Sequence, residues 1–283
     1  MPARPHVEST IAGARTHVRE LRASGATVAL VPTMGALHAG HLQLVDVAAR
    51  AARAVVVSIF VNPLQFGPSE DFARYPRTLD ADLAALAGRG VSFVFAPSAE
   101  EMYEGGRGTT VVPPDGSDAF EGAVRPGHFA GVLTVVAKLF HIVQPDIAVF
   151  GRKDLQQLSL VQCMVRDLDF PLAVLPVDTV READGLALSS RNRYLSADDR
   201  ARAPLLQQAL RTIAQRFGTG ERDAASLRAA GAAVLATDPA IDIDYLDIVR
   251  PSSFSVVDRA EPGDAAIVAA RVGGTRLLDN VIL

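Results

Sequence analysis

Short β-branched apolar runs alternate with amphipathic stretches across the first 180 residues, and this alternation constrains the fold more than any other feature of the chain. The strand-like runs lie at 27–31, 54–61, 91–95, 146–150 and 172–177. Helical spacing of apolar residues occurs near 6–24, 41–53, 79–89, 130–143 and 154–167. Such a βαβ series predicts an α/β fold, a Rossmann-like doubly wound parallel sheet that binds ligands at the carboxyl ends of its strands.

The pattern changes after Val180, which predicts a first domain over 1–180 and a smaller C-terminal α+β domain over 181–283. Helices are expected near 197–217 and 222–237, the first capped by Ser196. Three later runs, 241–249, 265–272 and 276–283, predict an antiparallel sheet. The Gly- and Pro-rich segment 103–128 predicts a mobile loop over the site or an excursion from the fold.

Composition excludes several classes of function. Of the 283 residues, 49% are hydrophobic and 21% are charged, which is typical of a soluble globular protein. The formal net charge of -4 gives no global positive field, so neither nucleic acid nor a membrane surface is an expected partner. A single cysteine, Cys163, excludes an internal disulfide and is expected to pack in the core. No apolar run follows the N-terminal arginines, which favours the cytoplasm.

The first chemical signal follows the strand at 27–31. The histidines His38 and His41 are three residues apart and share one face of the opening turn of a predicted helix. Two imidazoles beside free backbone N–H groups form a site for phosphate oxygens, and Gly35 and Gly40 let the phosphate approach the backbone. The competing interpretation is that both histidines merely cap the helix or lie on a polar surface. Neither a Walker A sequence nor GxGxxG is present, so kinase-type and dinucleotide sites lose their main support.

A second signal is FGRKDLQQL, in which Lys153 is one of only two lysines in the chain. It lies where a strand turns into a helix, so it would face the same crevice as the histidines and neutralise phosphate charge. Asp154 is a candidate helix cap, and Gln157 would project from the first turn. An ordinary capped turn with solvated charges is the alternative.

Two further segments contribute polar groups. In GLALSSRNRYLS, Ser189, Ser190 and Arg191 offer two hydroxyls and a fixed cation for a nucleotide, although a serine-rich surface loop would look the same. Asn62 and Gln65 follow the strand at 54–61, where neutral amides suit a small polar substrate. Asn-Pro turn chemistry is a competing explanation for Asn62.

Five strings, PTMGALHAGHLQLV, SIFVNPLQFGPSEDFARYPRT, HFAGVLTVVAKLF, FGRKDLQQL and DGLALSSRNRYLS, together resemble the pantoate–β-alanine ligase family. HxGH alone marks the wider nucleotidylyltransferase superfamily. The resemblance implies two steps: ATP and (R)-pantoate give pantoyl adenylate and pyrophosphate, and the amine of β-alanine then releases AMP and forms pantothenate. It also implies ATP as co-substrate, Mg²⁺ carried with the nucleotide, and a homodimer.

Carried over by position, the resemblance assigns His41 as proton donor and His38, Lys153 and Arg191 as further catalytic groups. The implied pantoate and β-alanine contacts are Gln65, Gln157 and Asn62. The implied ATP contacts are Met34, Gly35, Ala36, Leu37, His38, Ala39, Gly40, His41, Gly151, Arg152, Lys153, Asp154, Val180, Leu188, Ser189, Ser190 and Arg191.

Three points stay open at the level of sequence. The stretch TLDADL offers Asp80 and Asp82 as magnesium ligands, but the family's usual acid between them is replaced by Ala81. Arg152 stands where the family commonly has glutamate, and we expect it to alter ATP affinity. The alternatives to the ligase are another HxGH nucleotidylyltransferase, which would release no AMP, and an RNA-binding relative of the tRNA synthetases, which the net negative charge disfavours.

Overall fold

The structure is a computed structural model that describes residues 3–68, 70, 72–104 and 108–283. The chain divides into two units, one formed by Met1–Gly151 with Leu160–Val177 and the other by Arg152–Ser159 with Asp178–Leu283. The domain boundary that we predict near residue 180 stays a prediction. The division by contacts differs from it in placing Arg152–Ser159 in the second unit.

A six-stranded sheet forms the centre of the first unit. Its strands are β1 (His6–Glu8), β2 (Val28–Thr33), β3 (Ala54–Ile59), β4 (Val91–Phe95), β5 (Ile147–Gly151) and β6 (Ala173–Val177). They lie in the order β1-β4-β3-β2-β5-β6, and every neighbouring pair is parallel. The predicted Rossmann-like α/β class is therefore confirmed. The chain winds outward in opposite directions from β2 and β5, so the carboxyl end of β2 lies at the switch point where such sheets bind ligands.

Helices connect these strands. They are α1 (Ile11–Ala23), α2 (Ala39–Ala51), α3 (Leu79–Leu86), α4 (Ala99–Met102), α5 (Glu121–Val124), α6 (His128–Val143) and α7 (Leu155–Asp167). The central strands β2 and β3 are buried along nearly their whole length, as apolar runs in a two-sided parallel sheet require. Across the part of the chain that the structure describes, no helix combines the length and apolar character that a membrane span needs.

Several predictions for this unit need correction. The helix expected over 6–24 begins at Ile11, because His6–Glu8 pairs with β4 as an edge strand instead. The segment 103–128 is not a single loop, since it contains α5 and the first residue of α6; its residues 105–107 lie outside the described residues. Cys163 is only partly buried, and its thiol contacts the Asp167 carboxylate at 3.0 Å rather than packing in the core.

The second unit has an antiparallel sheet backed by helices. Its elements are α8 (Ala197–Arg202), α9 (Leu205–Gly218), α10 (Ala224–Leu235), β7 (Ile241–Arg250), β8 (Ser255–Val256), β9 (Ala265–Val272) and β10 (Thr275–Ile282), with the strand order β10-β9-β7-β8. Ser196 caps α8 by accepting the Asp199 N–H, as predicted. The single helix predicted over 197–217 is two helices, because Pro204 lacks the N–H that a continuous helix needs.

Candidate active site

The turn after β2 has an unusual backbone. Gly35 and Ala36 adopt positive φ values of 80° and 51°, so the chain reverses sharply before α2. A Cβ at Gly35 would lie 3.0 Å from an oxygen of Asp82 and 3.1 Å from Ile59 Cγ2, so the close approach requires glycine. The Thr33 hydroxyl donates to the Ser58 carbonyl at 2.7 Å and accepts the Gly35 N–H at 3.2 Å, which ties the turn to β3.

Asp82, in α3, anchors this turn through hydrogen bonds to its backbone. Its carboxylate is 2% exposed and accepts the N–H groups of Ala36 at 3.1 Å and Leu37 at 2.8 Å, with the Thr78 hydroxyl at 3.3 Å. The Asp80 side chain, in contrast, is 98% exposed and lies 3.6 Å from the Arg4 guanidinium. The two acids that the sequence offered as magnesium ligands therefore have different roles, and Asp82 supports the loop.

His38 and His41 cap α2 reciprocally. The Nδ1 atom of His38 accepts the Gly40 N–H at 3.2 Å, and the backbone N–H of His38 donates to Nδ1 of His41 at 3.4 Å. Their ring centroids are 4.1 Å apart. Capping, the competing interpretation of these residues, is thus part of what they do. Gly40 makes room for the arrangement, since a Cβ there would lie 3.0 Å from the His38 ring.

This capping fixes the chemistry of both imidazoles. A ring nitrogen that accepts a backbone N–H cannot carry a proton, so each neutral ring bears its proton on Nε2. The arrangement holds His38 and His41 as Nε2–H donors at the positive end of the dipole of α2. Such donors suit the oxygens of a nucleotide phosphate.

Asn62 and Gln65 form a buried amide pair just after β3. The Nδ2 of Asn62 donates to Oε1 of Gln65 at 3.0 Å and to the Gly131 carbonyl at 3.1 Å. Its Oδ1 accepts the Leu64 N–H at 3.2 Å and the Tyr103 hydroxyl at 2.8 Å. With two donors and two acceptor positions of its amide engaged, Asn62 acts here as a positioning group. Its predicted direct contact with substrate stays a prediction.

The same pairing sets the direction of the Gln65 amide. Because its Oε1 accepts from Asn62, its Nε2 is turned toward Met34, whose sulfur lies 3.3 Å away. Gln65 thereby presents an N–H donor beside the β2–α2 turn, although it is only 8% exposed. An N–H donor at that place suits a carboxylate or hydroxyl oxygen of a small substrate.

The start of α6 holds the backbone of Gln65. The His128 Nδ1–H donates to the Gln65 carbonyl at 2.8 Å, and Arg125 donates to His128 Nε2 at 2.9 Å and to both carboxylate oxygens of Glu70 at 2.7 Å.

Burial, together with the Arg125 charge, lowers the pKa of His128 to about 4. Burial alone would raise the pKa of Glu70, but its bonds to Arg125 outweigh this and lower it. Burial also raises the pKa of Tyr103, so its hydroxyl stays a donor.

The second unit carries the other predicted residues. A short helical turn, Arg152–Asp154, places Lys153 next to Asp154, with 3.6 Å between ammonium and carboxylate. Asn280 of β10 donates to the backbone carbonyls of Arg152 and Lys153 at 2.8 and 2.9 Å. The side chain of Arg152 turns to Asp178 at 3.0 Å. Gln157 is half-buried in the first turn of α7.

A small cleft in this unit is lined by Lys153, Ser189 and Arg191, with Asp279 also in its wall. The Ser189 hydroxyl accepts the Arg191 N–H at 3.2 Å and so caps the turn Ser190–Tyr194. Lysine and arginine side chains in one cleft are groups that suit phosphate oxygens.

The loop that carries these serines is a short hairpin. Leu188 donates its N–H to the Val180 carbonyl at 2.9 Å, and Arg181 forms a bridge with Ala187. Arg181 in turn donates to both carboxylate oxygens of the buried Asp279, at 2.6 and 3.0 Å. Strand β10 therefore anchors both segments through neighbouring residues, Asp279 and Asn280.

Sequence reasoning found two groups of residues, and the structure describes each within its own unit. The turn after β2, with Asn62 and Gln65, belongs to the first unit, where Gly151 also ends β5. Lys153, Gln157 and the LSSR segment belong to the second. The residues that it missed are those that support these groups from elsewhere in the chain: Asp82 as a loop anchor, Tyr103, Arg125, Gly131, Arg181, Asp279 and Asn280.

Comparisons with known proteins identify the family of this chain. The family model described as pantoate-beta-alanine ligase matches residues 6–282. A pantothenate synthetase from Acidobacterium capsulatum is 53% identical, over 97% of this chain and 95% of the relative. One from Chloroflexus aurantiacus is also 53% identical, over 94% and 95%.

Two solved structures of this family are similar to this chain over nearly its whole length. The pantothenate synthetase of Thermus thermophilus is 48% identical with a TM-score of 0.91, covering 98% of this chain and 99% of that one. The pantoate-beta-alanine ligase of Francisella tularensis, complexed with beta-gamma ATP and beta-alanine, is 30% identical with a TM-score of 0.80, covering 98% and 97%. The family model, the curated relatives and the solved structures together show that the chain belongs to the pantoate–β-alanine ligase family.

Proposed function

We propose that the chain is an ATP-dependent ligase that condenses (R)-pantoate with β-alanine through a pantoyl adenylate and releases AMP and pyrophosphate. The observation that carries the proposal is the reciprocal capping of α2 by His38 and His41, whose Nδ1 atoms accept backbone N–H groups at the switch point of the sheet. The Francisella relative, whose complex holds a form of ATP and β-alanine, supports two of the three substrates. Pantoate follows from the family.

The first step needs no protein nucleophile. An oxygen of the pantoate carboxylate attacks the α-phosphorus of ATP, a new P–O bond forms, and the bond to the β-phosphate oxygen breaks. The protein has to orient the reactants and stabilise the negative charge on the departing pyrophosphate. His41, with His38 beside it, donates Nε2–H bonds to those oxygens, and the dipole of α2 adds to the stabilisation.

Gln65 orients pantoate in this scheme. Its Nε2 donor, which lies beside Met34 because Asn62 occupies Oε1, binds an oxygen of the substrate. Gln157 is the predicted second glutamine contact. In the second step the amine of β-alanine attacks the acyl carbon, loses a proton, and displaces AMP.

The second unit supplies the remaining charge. We propose that Lys153, Ser189, Ser190 and Arg191 bind phosphate oxygens of ATP, with Gly151–Asp154, Val180 and Leu188 as further ATP contacts. The cleft that joins Lys153 to Arg191 supports this assignment. In these terms 1–180 is the nucleotide- and pantoate-binding domain and 181–283 a smaller lid-like domain.

Magnesium is expected to arrive with ATP, held by phosphates and water. The carboxylates of TLDADL do not fit a protein-held ion: Asp82 already accepts two backbone N–H groups, and Asp80 lies open to solvent. The homodimer and the cytoplasmic location stay predictions.

A His41→Ala variant tests the assignment. We expect pyrophosphate release with ATP and pantoate to fall about 10²-fold or more, the scale for losing a transition-state donor. His141→Ala is the matched control, because His141 is an exposed histidine at the end of α6, and it should keep full activity. Near-normal turnover of His41→Ala would remove this residue from the catalytic groups. Pyrophosphate release without any AMP in the complete reaction would favour the rival nucleotidylyltransferase.

A further inference from the structure

Two histidines and a glutamate converge on the outer edge of the first unit, away from every residue assigned above. His6 and Glu8 lie on the same face of β1, two residues apart, and His17 reaches them from α1. One carboxylate oxygen of Glu8 lies 2.7 Å from His6 Nε2 and 3.0 Å from His17 Nδ1. One donor atom from each residue falls within 4.8 Å of the others.

The Nδ1 atom of His17 is the unusual member of this cluster. It is buried from solvent and lies 3.0 Å from a Glu8 oxygen, yet it forms no hydrogen bond of acceptable geometry among the residues that the structure describes. A buried ring nitrogen whose neighbour is poorly placed for a hydrogen bond is costly in a folded protein. A bound cation would satisfy it.

Space and rigidity for a ligand set are also present. A Cβ at Gly13 would lie 2.1 Å from the second oxygen of Glu8, so the glycine leaves room for the carboxylate. The His17 ring is packed 5.5 Å from the Phe93 ring, which restrains it. The His6 side chain is 59% exposed, so an ion can enter from solvent.

We propose that His6, Glu8 and His17 bind a divalent transition-metal cation of the zinc or nickel class. Two imidazoles and one carboxylate are donors that such ions prefer, whereas Mg²⁺ and Ca²⁺ prefer oxygen ligands alone. Tetrahedral bonds of about 2.0–2.1 Å place donor atoms about 3.3 Å apart, so small side-chain shifts suffice from the present distances. Water fills the remaining position. The ion joins the three-residue edge strand β1 to α1.

Titration calorimetry of the chelator-treated full chain with Zn²⁺, and separately Ni²⁺, tests the site. We expect one equivalent to bind, with excess Mg²⁺ unable to compete. His6→Ala and Glu8→Gln should each weaken that binding by about tenfold or more, since each removes a ligand. His141→Ala controls for exposed histidines in general and should bind like the parent chain.

The position of the ion is tested by hydrogen exchange. Added Zn²⁺ should slow amide exchange over residues 6–23 in the parent chain but not in His6→Ala. His6→Ala should keep full ligase activity, which separates loss of this site from loss of the fold. The proposal is overturned if the parent chain binds no Zn²⁺, or if His6→Ala and Glu8→Gln both retain the equivalent with unchanged affinity.

Discussion

Replacing Asp82 by asparagine tests how the catalytic turn is held. The carboxylate accepts two backbone N–H groups, from Ala36 and Leu37, at a place that is 2% exposed. An amide of the same shape keeps one oxygen but turns an NH₂ group toward the other N–H. Losing one charge-assisted bond costs about 1.5–3 kcal/mol, and leaving a buried N–H unpaired adds about 1–3 kcal/mol. Some relaxation of the loop offsets part of this, so we expect the free energy of unfolding to fall by about 2–4 kcal/mol.

Urea unfolding followed by far-ultraviolet circular dichroism measures the change, because the chain contains no tryptophan for fluorescence. The same variant should show a raised KM for ATP, since Leu37 directly precedes His38. Asp80→Asn is the matched control on the same helix; its 98% exposed side chain predicts unchanged stability and unchanged kinetics. Equal stability of the two variants would refute the loop-anchor role. A selective rise in the Mg²⁺ concentration needed for activity, in Asp82→Asn alone and without loss of stability, would indicate a metal ligand instead.

Four other predictions concern the residues around Asn62 and Gln65, and Arg152. Gly131→Ala should raise the KM for pantoate steeply, because its Cβ would lie 2.2 Å from the Leu64 carbonyl oxygen and 2.7 Å from the Gln65 nitrogen; an unchanged KM contradicts the close packing. Tyr103→Phe should cost about 1 kcal/mol in kcat/KM for pantoate and leave the KM for ATP unchanged, since it removes one bond to Asn62; an equal effect on both substrates argues against positioning. The parent chain should lose up to about 3 kcal/mol of stability as the pH falls from 6.5 to about 4, because the unfolded state binds a proton there and His128 in the folded state does not; His128→Gln should flatten that part of the urea-stability profile. Arg152→Glu should change the KM for ATP, and an unchanged KM would refute a role for this departure from the family's usual glutamate.

The parallel sheet could be predicted because its central strands have a strong local signal. The runs that became β2 and β3 are apolar at nearly every position, as burial on both faces demands. Strand β1 could not be predicted in this way, since His6–Glu8 has no apolar run and becomes a strand only by pairing with β4, far along the chain. Pro204 is a local signal for a break in a helix, and the prediction of one helix over 197–217 did not use it.

The residues of the candidate site likewise fall into two groups, those that local sequence indicates and those that only the fold brings into contact. His38, Gln65 and Lys153 stand in short motifs that follow strands, and Arg191 stands in the LSSR loop, so short motifs are enough to select them as candidates. The residues that support them are distant in the sequence. Asp82 accepts the backbone N–H of Leu37, 45 residues before it, and Asn280 donates to the backbone carbonyl of Lys153, 127 residues before it. No periodicity or turn signal encodes such contacts. The buried amide network of Asn62 shows the same point, because Asn-Pro turn chemistry and substrate positioning both use that side chain.

The most direct test of the central claim is exchange of labelled pyrophosphate into ATP, measured with each substrate omitted in turn. The two-step mechanism predicts exchange with ATP and pantoate alone, no exchange when pantoate is absent, and AMP release only when β-alanine is added. Exchange that requires β-alanine, or AMP released at full rate without it, would contradict a pantoyl adenylate as the intermediate.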